Sequence, residues 1–274
     1  MGNFSTRTFS AAIFAIVLLA GICLHPFVFL VVFLSISLMG TYEFYQLAKK
    51  ANCSPQVYIG LFVATLLFIS CFAANYFSFT SIFLLIGFFL VLIPIIELYR
   101  KKKNPFTNIA FTFLGLLYVA LPFSLLNYMA FPFNDQEFHF QIILGVFIMI
   151  WANDTGAYVF GVTFGKHRLF ERISPKKSWE GSIGGAITTL VIAYLYSLYS
   201  HDLTLIQWLL IAIIVVIFGS LGDLVESLFK RCINIKDSGK ILPGHGGVLD
   251  RFDAILLVSP MVFILLEVIK EFFH

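Results

Sequence analysis

The sequence predicts an all-α, polytopic integral membrane protein of about nine transmembrane helices with a cytoplasmic N-terminus. Three observations predict it. Of 274 residues, 59% are hydrophobic and 12% charged, whereas a soluble domain typically carries about 25% charged residues. Apolar runs long enough to cross a bilayer recur with short polar breaks between them. The basic residues alternate between those breaks in the manner of cytoplasmic and external loops.

The runs span 9–24, 27–47, 56–74, 79–98, 107–130, 139–163, 181–199, 204–229 and 252–272. Backbone N–H and C=O groups inside lipid must find partners within their own segment, so each run is read as a helix. The first needs a separate argument, because Arg7 precedes an Ala-containing apolar stretch of the kind found in cleaved signals. The next run begins at Pro26 with no polar region between, so the first is expected to be a retained helix. The whole of 1–274 reads as a single membrane domain, with N-terminal helices over 1–130, a catalytic region over 151–253 and the last helix over 252–272. The chain shows no internal repeat and no low-complexity segment.

Orientation follows from a census of Lys and Arg. Arg7 lies in the N-terminal tail and the next break has none; Lys49 and Lys50 follow, then none around 75–78. Arg100–Lys103 come next, then none across 131–138; Lys166, Arg168, Arg172, Lys176 and Lys177 follow, then none at 201–202. Lys230, Arg231, Lys236, Lys240 and Arg251 complete the series, with Lys270 beyond the last helix. Seventeen of the 18 basic residues thus fall on one side, which is expected to be the cytoplasm. The net charge of +3 therefore reflects topology, and no nucleic-acid partner is expected. The four cysteines (Cys23, Cys53, Cys71, Cys232) form no CxxC pair and no zinc-ligand spacing.

The basic runs at Lys49–Lys50 and Arg100–Lys103 read as topology signals and headgroup attraction. Two other breaks mix acids, bases, glycines and hydroxyls. The first holds Trp151, Asn153, Asp154 and Tyr158, then Ser174-Pro-Lys176-Lys177-Ser178-Trp-Glu180-Gly181. The second runs from Gly219 through Asp223, Glu226, Ser227, Lys230 and Arg231 to Lys236-Asp237, and ends in His245-Gly246-Gly247-Val-Leu-Asp250-Arg251-Phe-Asp253. Asp223 shares a helix face with Glu226 and Ser227, and an ionisable group inside a span points to function. Asp223 is therefore read as a metal ligand, while Glu226 suits an ion pair with Lys230 at i+4. Asp154 is equally a helix-orienting acid or a substrate contact. Asp250 or Asp253 could simply complement the dipole of the last helix, but two glycine pairs, His245 and Asp237 in the same loop point further. Glycine-rich backbone presents N–H groups to phosphate, carboxylates hold magnesium, and Lys176, Lys177, Lys230, Arg231, Lys236 and Arg251 can neutralise phosphates. These parts suit phosphoryl or nucleotidyl transfer. His245 is a candidate general acid/base or phosphate donor, and equally an ordinary packed loop histidine. P-loop, HExxH and GxSxG patterns are absent, which argues against the common ATPase, zinc-protease and serine-hydrolase designs. The Gly161/Gly165 and Gly181/Gly185 pairs read as helix packing.

The stretch from Ser227 to Asp253, with Ser174–Gly181 and Asp154–Tyr158 upstream, resembles the signature of the phosphatidate cytidylyltransferases, or CDP-diacylglycerol synthases. The match runs from Trp151 to Asp253 in order, without departure at a charged position. The resemblance implies that CTP and phosphatidate give CDP-diacylglycerol and pyrophosphate at the cytoplasmic face of the membrane, the inner membrane if the source is bacterial. It implies magnesium, with potassium as a candidate second metal, and a homodimer. Asp223 and Asp250 would hold the metal centre, with Asp237 and Asp253 as further ligands. Lys236, Asp237, His245 and Arg251 join them as catalytic candidates. Lys176, Lys177, Ser178, Lys230, Arg231, Gly246, Gly247 and Asp154 are the substrate-binding candidates. Two other readings stay open: a CTP-dependent polyprenol or lipid kinase, and an ion-coupled transporter. The latter would be expected to carry midplane charges and often inverted repeats.

Overall fold

A computed structural model describes residues 2–133, 136–235, 238–239 and 246–273, with side-chain environments from 12 to 271 among them. The chain is nearly all helical. In order it forms α1 (Gly2–Cys23), α2 (Pro26–Lys50), α3 (Val57–Phe77), α4 (Phe83–Arg100), α5 (Pro105–Gly115), α6 (Leu121–Ala130) and α7 (Phe140–Phe164). A short hairpin, β1 (Arg168–Phe170) and β2 (Ser174–Ser178), precedes α8 (Trp179–Tyr199), α9 (Leu205–Ile214), α10 (Ser220–Cys232) and α11 (Leu249–Phe273). α5 and α6 join through a π-helical turn at Leu116–Ala120, and α9 and α10 through another at Val215–Gly219. Each pair makes one continuous span, Pro105–Ala130 and Leu205–Cys232.

Eight helices among the described residues are long and apolar enough to cross a membrane, and α1 adds the shorter apolar stretch Ala12–Cys23. Local signals set several helix starts. His25 Nδ1 accepts the Phe27 N–H, with Pro26 at the first helical position of α2. Thr204 and Gln207 form a reciprocal capping box at α9. The hairpin was not foreseen: Arg168 pairs with Ser178 and Phe170 with Ser174, antiparallel.

Two compact units are present, Met1–Phe138 with Ile233–Phe252, and His139–Cys232 with Asp253–His274. In the first, Phe29, Phe33, Phe44, Phe68, Phe123 and Phe131 are fully buried. A second core there packs Val63 and Ala64 of α3 against Ile86 and Ile93 of α4, and against Leu116 and Ala120 of the π-turn. A buried polar network crosses the same unit. Glu97 accepts from Gln56 Nε2 (2.8 Å), Asn108 Nδ2 (2.8 Å) and Arg100 (2.6 Å), and Arg100 also donates to the Ser54 carbonyl. Arg100 is thus a structural cation as well as a charge on the basic side.

The second unit is built on the α7–α8 pair. Both predicted glycine pairs lie at its interface. A Cβ on Gly181 would meet the Ala157 carbonyl oxygen at 2.7 Å and the Gly161 Cα at 3.1 Å, so the two backbones nearly touch. Tyr196 and Trp208 stack edge-to-face at 4.9 Å above Gly145, and Tyr196 Oη donates to the Gln141 carbonyl.

Candidate active site

Two polar constellations stand out, one in each unit. In the second unit the hairpin brings the first cation. Ser178 ends β2 and caps α8 by accepting the Gly181 N–H at 3.2 Å. Glu180 takes the Lys166 and His167 backbone N–H groups and pairs with His167 Nδ1 at 2.6 Å, tying down the start of the hairpin. Side chains alternate along a strand. Lys176 is accordingly exposed, whereas Lys177 is half-buried and lies 2.6 Å from Asp223 Oδ2. Lys177 also donates to the Ser220 carbonyl at 3.2 Å.

α10 supplies the acids. Helical spacing sets Asp223, Glu226 and Ser227 on one face, with Ser227 Oγ 3.4 Å from Asp223 Oδ1. Glu226 is buried and pairs with Lys230 at 2.6 Å, the i+4 contact expected. α11 adds Asp253, because Gly222 lets α10 approach it backbone to backbone. A Cβ on Gly222 would collide with the Asp253 carbonyl oxygen and stand 3.1 Å from the Ala254 Cα. Asp223, Glu226 and Asp253 each offer an oxygen within 4.8 Å of the others. Asp154 is near enough for the charges of Asp223 and Lys177 to act on it, and its own acts on Asp253. Four carboxylates therefore face Lys177 and Lys230, an excess of two negative charges when all are ionised. Hard oxygen donors with that excess suit a divalent cation.

In the first unit the constellation is two pieces of backbone, residues 238–239 and 246–248, together called the strap. Gly246 has φ +84°, a left-handed conformation that favours glycine. Asp250 Oδ2 accepts from Ser238 N (2.9 Å), Ser238 Oγ (2.8 Å) and Gly247 N (2.9 Å). Glu43 of α2 accepts from the same strap, at Ser238 Oγ and at Val248 N (2.6 Å).

The predicted residues fall out as follows. Asp223, Asp253, Asp154, Lys177 and Lys230 come together in the second unit with Glu226, which the sequence reading gave only to an ion pair. Asp250, Gly246 and Gly247 come together in the first. Ser178 is buried as a helix cap, while Lys176, Arg231 and Arg251 are exposed. Lys236, Asp237 and His245 lie outside the described residues. Glu43 was missed, although the sequence carries a signal for it: a carboxylate inside the apolar run 27–47.

A family model described as the cytidylyltransferase family matches residues 5–269, which includes both constellations. The chain belongs to the cytidylyltransferase family. Among curated members, it is 45% identical over 168 residues to the phosphatidate cytidylyltransferase of Staphylococcus haemolyticus. It is 43% identical over the same length to those of Staphylococcus saprophyticus and Staphylococcus aureus. Each alignment takes in 61% of this chain and 62% of the relative, so the match to these cytidylyltransferases spans about three fifths of their length.

Proposed function

We propose that this chain is a phosphatidate cytidylyltransferase, joining CTP to phosphatidate to give CDP-diacylglycerol and pyrophosphate. The observation that carries the reading is the carboxylate cluster of Asp223, Glu226 and Asp253 beside Lys177, in a chain of the cytidylyltransferase family. In the reaction, an oxygen of the lipid phosphate attacks the α-phosphorus of CTP. The new P–O bond forms as the bond to the β-phosphate bridging oxygen breaks, and pyrophosphate departs with that electron pair. The nucleophile is already an anion near neutral pH, so no strong general base is needed. The difficulty is bringing two anions together.

The chain's residues answer that difficulty. In the second unit Asp223 and Asp253, with Glu226 beside them, are the carboxylates assigned to magnesium; in the first unit Asp250 of the strap is separately assigned to metal. Opposed oxygen ligands of magnesium stand about 4.2 Å apart at its 2.0–2.1 Å bond length. The 4.8 Å spread of the cluster oxygens is close to that reach. Magnesium, when bound, supplies charge neutralisation and an electrophilic hold on phosphate oxygens; potassium is the candidate second metal. Lys177, placed against Asp223, is assigned to a substrate phosphate, with Lys176, Lys230, Arg231, Lys236 and Arg251 as further neutralising charges. The N–H groups around Gly246 and Gly247 are assigned to phosphate oxygens. CTP is water-borne and phosphatidate lies in the leaflet, so the site is assigned to the cytoplasmic membrane face, the one carrying the basic breaks. The working form is assigned as a homodimer.

Purified protein supplied with labelled CTP, phosphatidate and magnesium tests the reading. The expected product is CDP-diacylglycerol with one pyrophosphate for each. A phosphorylated lipid with CDP would instead assign a lipid kinase, and no CTP consumption would exclude both.

A further inference from the structure

Glu43 is 3% exposed, inside an apolar helix, and 195 and 205 residues from its partners Ser238 and Val248 in the chain. A carboxylate in such a place is costly unless its oxygens are satisfied. Here they meet both ends of the strap. Oε1 accepts from Ser238 Oγ, and Oε2 accepts from Val248 N at 2.6 Å. The neighbouring glycines leave room for it: a Cβ on Gly239 would stand 2.8 Å from Oε1, and one on Gly247 would collide with the same atom.

The same hydroxyl reaches Asp250. Ser238 Oγ lies 2.8 Å from Asp250 Oδ2, while Ser238 N and Gly247 N donate to that oxygen. A hydroxyl has one proton and serves one carboxylate at a time, so Ser238 is a shared bridge between Glu43 and Asp250. Val248 immediately precedes α11, whose second residue is Asp250. A carboxylate that anchors Val248 N and Ser238 Oγ therefore sets the start of α11 and the donors that orient the Asp250 carboxylate.

We propose that Glu43 is a positioning residue of the active site, which clamps the Ser238 and Val248 ends of the glycine strap and so orients Asp250 for metal and phosphate. The proposal rests on the cytidylyltransferase reading for what Asp250 binds, but the clamp itself does not. Partners that orient metal ligands typically cost about 10- to 100-fold in metal affinity or activity when removed.

The full-length protein in nanodiscs, as wild type, Glu43→Gln and Glu43→Asp, provides the test. Glu43→Gln keeps the size but replaces one acceptor with a donor facing Ser238 or Val248. Hydrogen exchange at the Val248 amide reads the clamp, and Mn2+ binding followed by electron paramagnetic resonance reads the metal without turnover. In Glu43→Gln, exchange is expected to quicken by about tenfold or more, and half-saturating Mn2+ to rise by about tenfold or more. Glu43→Asp, which keeps the charge one methylene short, is expected to fall between it and wild type. Unchanged exchange at Val248 would overturn the proposal. So would a lowered melting temperature with wild-type Mn2+ binding, the result of a merely structural carboxylate. Should Glu43→Gln fail to accumulate, Ser238→Ala removes the bridging hydroxyl and is expected to weaken Mn2+ binding likewise; wild-type binding there would overturn the proposal. A wild-type protein that makes no CDP-diacylglycerol would sink the enzymatic reading instead, with the exchange and Mn2+ results still legible.

Discussion

Lys176 and Lys177 are adjacent in sequence and opposite in role. The pleat turns Lys176 to solvent and Lys177 onto Asp223. Lys177→Ala is expected to lower kcat/KM for CTP by about 100-fold, the loss of a charge-assisted contact worth about 3 kcal/mol. Lys176→Ala is expected to cost less than about tenfold, and steady-state kinetics at saturating phosphatidate compare the two. Lys177→Arg is expected to recover little, because a planar fork does not replace a compact ammonium at a 2.6 Å contact. Asp223→Asn and Asp250→Asn should each abolish turnover while leaving folded protein in the membrane; near-normal activity in either removes that residue from the site. Asp223 and Asp253 were legible in the sequence because acids stand out in an apolar chain. The bonding of Asp250 was not, since its donors at 238 and 247 reach it only through the tertiary closure of the strap. Glu43 passed unnoticed because Lys49 and Lys50 nearby were sufficient to explain that helix end as a topology signal.

Among elements, the α10–α11 crossing has little tolerance. Gly222 has no room for a side chain against the Asp253 carbonyl and the Ala254 Cα. Gly222→Ala is expected to destabilise by about 1–3 kcal/mol and to reduce metal binding as well, because it moves Asp223 from Asp253. Thermal unfolding in detergent and Mn2+ titration measure the two effects. The Glu97 network offers the contrasting case. Glu97→Ala strips Arg100, Gln56 and Asn108 of a shared acceptor and is expected to cost about 3 kcal/mol. Turnover per folded molecule should stay at the wild-type level, and an activity loss exceeding the unfolded fraction would contradict this separation. Most element boundaries were readable to within a few residues, as with 252–272 against Leu249–Phe273, because hydropathy registers lipid contact directly; α1 starts at Gly2 against an expected 9, since its polar first turns carry no such signal. The hairpin was not readable: Ser174-Pro-Lys-Lys-Ser178 has no apolar alternation, and its shape is imposed by the Glu180–His167 tie and the Ser178 cap. Nor do the π-turns announce themselves, since one extra residue in a helix leaves an apolar run equally apolar.

For the molecule as a whole, the basic census expects Cys53 and Cys232 to lie on the cytoplasmic side and Ser78 outside. Single-cysteine proteins treated with an impermeant maleimide check this: Cys232 should react only in inverted vesicles, and Ser78→Cys only in intact cells. Labelling of Cys232 from outside would reverse the orientation. Burial pushes the Cys53 thiol up, which lowers its thiolate fraction at neutral pH, so its labelling should be slow and quicken as pH rises. The Glu43 clamp has a consequence for how the chain is made. Synthesis proceeds at about 5–20 residues per second, and the nearer of the carboxylate's two partners lies 195 residues downstream. α2 therefore waits roughly 10 to 40 s in the membrane before Ser238 leaves the ribosome. During that interval the insertion machinery, water or a proton must shelter the acid. A chain stopped at residue 235 never acquires its shelter, and a quality-control protease should find it short-lived beside the finished protein.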